Sequence, residues 1–115
     1  MYTNTRHLKE PQVQELRRKA GVWLKRLRED RGLSQRELAK LVNADYYTFI
    51  SQLETGRGRI PPDRYQEWAT ALGVVPRDFV RTLMKYYDPV TYGYLFEDGE
   101  TDDAVRDSAA SSVLP

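Results

Sequence analysis

The chain contains no cysteine, and its single histidine, His7, stands close to its start. Without thiols there are no disulfides, no thiolate catalysis and no cysteine-based zinc sites. A lone imidazole excludes a histidine cluster and a histidine-based triad. No apolar run approaches the ~18 residues a membrane-spanning helix needs, and Met1 to Glu10 lacks the apolar stretch of a secretory signal. There is no G-x-x-x-x-G-K-[ST] phosphate loop, and the acids from Asp98 to Asp103 do not follow calcium-loop spacing. No metal, cofactor or enzymatic activity is therefore expected, and the composition suits a cytoplasmic protein with no membrane partner.

What is present points to one domain. The chain has 115 residues, 40% of them apolar and 30% charged. Its net charge of +1 hides an asymmetry: the first 85 residues carry 17 Lys/Arg against 10 Asp/Glu, and the remaining 30 carry one Arg against seven acids. A basic body with an acidic tail suits a polyanion-binding domain. A solvated charged surface is the plainer reading of the same charges.

The hydrophobic periodicity is helical throughout. Residues 1–10 are polar and aperiodic, which reads as a flexible arm. Pro11 opens a helix in which Val13, Leu16, Ala20, Trp23, Leu24 and Leu27 recur at three- and four-residue steps. Gly21 interrupts it at some cost, and Gly32 ends it. Ser34 and Glu37 form a capping box for a second helix that stops near Val42. Asn43 suits the left-handed backbone of a tight turn. Asp45 is the expected N-cap of a third helix over about 46–54, with Phe49, Ile50 and Leu53 inward. Pro62 and Asp63 open a fourth helix that ends at Gly73, and Pro76 opens a fifth that ends at Asp88-Pro89. The aromatic stretch 90–96 fits a short helix or a strand. Residues 97–115 have the composition of a disordered acidic tail.

Function becomes legible between Gly32 and Arg57. The string Gly32-Leu33-Ser34-Gln35-Arg36-Glu37-Leu38-Ala39, followed by Ile50-Ser51-Gln52-Leu53-Glu54-Thr55-Gly56-Arg57, resembles the Cro/C1-type repressors, the XRE family. Ala71-Leu72-Gly73-Val74 is similar to that family's fourth-helix ending. From Leu38 to Ile50 the chain holds one residue more than the family's common spacing, and the extra residue falls among Asn43, Ala44 and Asp45. The resemblance implies an all-α, five-helix, lambda-repressor-like helix-turn-helix domain over 11–85. It also implies bacterial or phage origin, double-stranded DNA as partner, and a dimer on a two-fold operator.

The residues support that reading on their own chemistry. The third helix is expected to enter the major groove. Its outward residues Tyr47, Thr48, Ser51 and Gln52 are candidates for base reading, since Gln pairs with adenine and Thr meets the thymine methyl. Ser34 and Gln35, at a helix start, and Tyr46, Arg57 and Arg59 are candidates for phosphate contacts. Tyr46 packing on the core is the alternative for that residue. Tyr86, Tyr87, Val90, Tyr92, Tyr94, Leu95 and Phe96, within 86–96, form a dense aromatic segment expected to make a homodimer interface; folding back as an extra core layer is the alternative. Two rival functions remain at this stage. One is a DNA-binding antitoxin whose acidic tail engages a toxin partner, and the other is a pure protein-interaction module.

Overall fold

Chain entry into the first helix follows from Pro11, whose missing N–H costs nothing in a first turn. Helix α1 (Glu10–Asp30) runs without interruption for 21 residues and carries Ala20, Gly21, Leu24 and Arg28 on its buried side. The computed structural model describes residues 9–97. Expectations for residues 1–8 of the arm and 98–115 of the tail lie outside the described residues.

Gly21 has a packing reason. A Cβ built there would stand 2.4 Å from the Glu54 carbonyl oxygen, so α1 crosses the end of the third helix backbone to backbone. Gly56, just after that helix, is held at φ 82°, and a Cβ on it would meet the Arg18 Cα at 2.7 Å. Both glycines fix the same crossing from opposite sides.

Helix α2 (Gln35–Leu41) begins with the expected capping box. The Glu37 N–H donates to Ser34 Oγ at 3.0 Å, and the Ser34 N–H donates to Glu37 Oε1 at 2.7 Å. Asn43 takes φ 55° in the turn that follows. Helix α3 (Tyr47–Glu54) then starts one residue later than the sequence suggests, with Tyr46 as an extended N-cap and no side-chain cap bond. Asp45 is therefore not the N-cap. The extra residue of the turn moves it out of capping position.

The lengthened turn is clamped from the fourth helix. Pro62–Arg64 forms a 3₁₀ turn that runs into α4 (Tyr65–Leu72). Arg64 donates to the Val42 carbonyl and pairs with Glu67, while Asn43 Nδ2 donates to Glu67 Oε2 at 3.4 Å. Gly73 closes α4 in the left-handed region at φ 73°. Helix α5 (Pro76–Tyr87) follows, then a short α6 (Pro89–Tyr92) and a π-helical turn, Gly93–Glu97. The 90–96 stretch is thus helical, a sixth helix is added to the expected five, and the described residues form an all-α fold.

Leu24, Leu38, Ile50, Leu53, Trp68 and Phe79 converge in the core, each at most 2% exposed. Trp23 stacks on Phe79 with ring centroids 5.5 Å apart. Part of the aromatic segment is buried within the chain, as the core-layer alternative has it. Tyr87 is 7% and Tyr92 8% exposed within the single chain. Tyr86 lies against Trp23 at 6.4 Å, and Phe96 lies 4.9 Å from Tyr92 with the Arg81 guanidinium over its ring. The segment folds back against its own preceding helix, with the Lys85 ammonium 5.9 Å from the Tyr92 ring centroid. Tyr94 and Leu95 stay more than half exposed. Among the described residues, no helix is long and apolar enough to cross a membrane.

Candidate nucleic-acid interface

Helix α3 divides cleanly into two faces. Ile50 and Leu53 are fully buried, and the half-buried Phe49 meets Trp68 edge-on at 6.5 Å. At i and i+4 spacing on the other side, Thr48 and Gln52 are exposed. They share a shallow depression of about 370 Å³ with Asp45, Arg64 and Trp68. Tyr47 is 40% exposed and Ser51 half-buried at the margins of the same face. Tyr46, at 73% exposure, projects outward from the turn, so it does not pack on the core.

What holds this helix in place is a buried ion pair that sequence reasoning missed. Arg28 Nε donates to Glu54 Oε2 at 2.6 Å and its Nη2 to Glu54 Oε1 at 3.0 Å. The third donor, Arg28 Nη1, bonds the Leu33 carbonyl at 2.8 Å. Hydrogen bonding to Glu54 holds the Arg28 guanidinium above its ordinary pKa, against the opposing effect of burial. One forked side chain thus ties α1, the α1–α2 loop and the last turn of α3. A signal was available. Arg28 continues the buried stripe of Ala20 and Leu24 at four-residue steps, and a charge on such a stripe requires a buried partner.

Gln35 joins the same network. Its Nε2 donates to Glu54 Oε1 at 3.1 Å, so the side chain expected to hold a phosphate is turned inward. Ser34 is exposed, with its hydroxyl engaged in the capping box.

The loop after α3 separates its two arginines. Arg57 is exposed and takes no ion pair among the described residues, while its backbone N–H bonds the Gln52 carbonyl at 2.8 Å. Arg59 turns the other way. Its Nη2 reaches Asp88 Oδ2 at 3.0 Å and Tyr65 Oη at 3.2 Å, and its guanidinium lies 4.6 Å from the Tyr87 ring centroid. The expected phosphate role of Arg59 is corrected accordingly: the side chain latches the loop to the end of α5. The Ile60 N–H completes the latch by donating to Tyr87 Oη at 3.3 Å. Burial pushes the Tyr87 hydroxyl up to about 12.

The assembled face is an exposed polar helix edge flanked by Tyr46 and Arg57. Its chemistry is that of hydrogen bonding and, at Arg57, of positive charge. No group of three or more His, Cys, Asp or Glu side chains suited to a metal occurs among the described residues. The helix-turn-helix family model matches residues 24–80, from the middle of α1 into α5. No curated protein matches the sequence.

Proposed function

The chain carries a helix-turn-helix domain of the Cro/C1-type (XRE) family over residues 24–80, a family of DNA-binding regulators, and from that premise we propose that it is a sequence-specific repressor of transcription. Helix α3 lies in the major groove of double-stranded DNA. Thr48 and Gln52 read base edges, with Tyr47 and Ser51 at the margin, and the bases they meet set sequence choice. Tyr46, Arg57 and the exposed start of α2 at Ser34 meet the phosphate backbone and set the register.

One observation carries this reading. Thr48 and Gln52 stand exposed on a helix whose opposite face buries Ile50 and Leu53 and whose last turn is fixed by the Arg28–Glu54 pair. A rigid helix with a displayed polar edge is what base reading requires. The protein acts as a homodimer on a two-fold operator, its two α3 helices about one DNA turn, ~34 Å, apart. With Tyr87 and Tyr92 buried within the chain, the exposed Leu95 is the part of the aromatic segment that meets a second copy.

The test is selection of bound sequences from random duplex by the full chain. An enriched site with two-fold symmetry supports both base reading and dimeric binding. Enrichment of an asymmetric half-site removes the dimer, and absence of any enrichment removes base reading.

A further inference from the structure

Arg36 occupies an unusual position. It is the second residue of α2, and its guanidinium carbon lies 4.3 Å from the ring centroid of Tyr47, the first residue of α3. Both side chains are exposed, and they share a depression of about 360 Å³ with Lys40 and Tyr46. Its neighbours are occupied elsewhere: Gln35 bonds Glu54, and Glu37 caps Ser34. Arg36 itself takes no carboxylate partner among the described residues. One face of it is held by the Tyr47 ring, and Asp45 lines the same depression without pairing with it.

A guanidinium stacked on a ring keeps its edge available. Stacking covers a flat face, while the N–H donors point outward in the plane as a rigid fork. That fork matches the O6 and N7 acceptors of guanine in the major groove. The stack also draws the guanidinium from α2 to the N-terminal end of α3, the end that meets base edges when such a helix lies in the groove.

We propose that Arg36, oriented by the Tyr47 ring, reads a guanine in the major groove beside the bases met by Thr48 and Gln52. The proposal rests on the DNA-binding reading above. It makes Arg36 a specificity-determining residue supplied by the helix that precedes the recognition helix, and Tyr47 its positioning residue.

The test uses the full chain, the duplex enriched from random sequence, and that duplex with each base pair replaced in turn. Affinities are compared for the native chain, Arg36→Lys, Arg36→Ala, Tyr47→Phe and Tyr47→Ala, with melting curves as a check on folding. Replacing one G·C pair is expected to weaken native binding about 5- to 150-fold, the range of a good bidentate contact. Arg36→Lys keeps the charge but loses the planar fork, so it loses discrimination at that pair and keeps it at the others. Tyr47→Phe retains the preference, and Tyr47→Ala weakens it at the same pair. A selected site without guanine, an Arg36→Lys variant with every preference intact, or a Tyr47→Ala effect at a different pair overturns the proposal. So does uniform weakening by Arg36→Ala with a salt slope smaller by about 1, which marks a phosphate contact. A native chain without any base preference overturns the DNA-reading function together with this proposal; the other adverse outcomes overturn this proposal alone.

Discussion

Removing the Glu54 carboxylate strikes the point where three parts of the fold meet. Glu54→Ala deletes the acceptor of two Arg28 hydrogen bonds, at 2.6 and 3.0 Å, and of the Gln35 bond at 3.1 Å. Arg28 keeps only the Leu33 carbonyl, and its side chain is 10% exposed. Leaving one partner of a buried pair uncompensated costs about 3–5 kcal/mol, out of the roughly 5–15 kcal/mol that hold a domain folded. For a domain of this size each kcal/mol lowers Tm by about 4–8 °C, so the loss is expected to be at least about 12 °C. Urea titration gives the free energy directly. The apolar double variant Arg28→Met with Glu54→Leu avoids the stranded charge and is expected within about 1 kcal/mol of the native chain, or above it. Its DNA affinity is expected to fall nonetheless, because the forked contact that fixes the rotation of α3 is gone. A Glu54→Ala variant within about 1 kcal/mol of native, on the scale of an exposed pair, refutes the reasoning. So does a double variant as unstable as the single one.

Tyr87 gives an alkaline signature. Its folded pKa, raised to about 12, exceeds the unfolded value of roughly 10. The stabilisation is therefore complete below about pH 10 and lost as pH rises toward 12, a fall of about 2–3 kcal/mol in denaturant titrations that Tyr87→Phe removes. Gly56→Ala is expected to destabilise by about 1–3 kcal/mol, because φ 82° and the Arg18 backbone at 2.7 Å both oppose a Cβ; a neutral melting curve contradicts the close crossing. A chain ending at Lys85 loses Tyr87 and the Asp88 partner of Arg59, so it is expected to melt well below the full chain; equal melting temperatures contradict the folded-back segment. Duplex binding is expected to fall with salt at a log–log slope of roughly −4 to −5 if about five phosphates are met, and a flat response removes the electrostatic contacts.

The helix order was readable because its punctuation is local. Ser34 with Glu37, Asn43, Gly73 and Pro76 each act through the few residues beside them, and each stands at the boundary its chemistry suggests. Asp45 misled because capping depends on a register that the longer turn shifts by one. The outward face of α3 follows from spacing alone, since Phe49, Ile50 and Leu53 leave Thr48 and Gln52 no inward direction. Long-range partners were not legible in the same way. Arg59 resembles Arg57 in the sequence, and only the approach of Tyr65, Tyr87 and Asp88 in the fold distinguishes them. The density of the aromatic segment pointed to an interface, with a core layer as the alternative, and density alone does not say which rings turn inward. The fold divides it, with Tyr87 and Tyr92 inside and Tyr94 and Leu95 outside.

The central claim is that the exposed edge of α3 chooses the sequence bound. The most direct measurement is the affinity of the native chain and of Gln52→Ala for the selected duplex and for a scrambled one. Loss of a base contact is expected to weaken binding to the selected duplex by about 1–3 kcal/mol and leave binding to the scrambled duplex nearly unchanged. Arg57→Ala, a backbone contact in this account, is expected to weaken both alike. Equal loss on both duplexes for Gln52→Ala contradicts the claim.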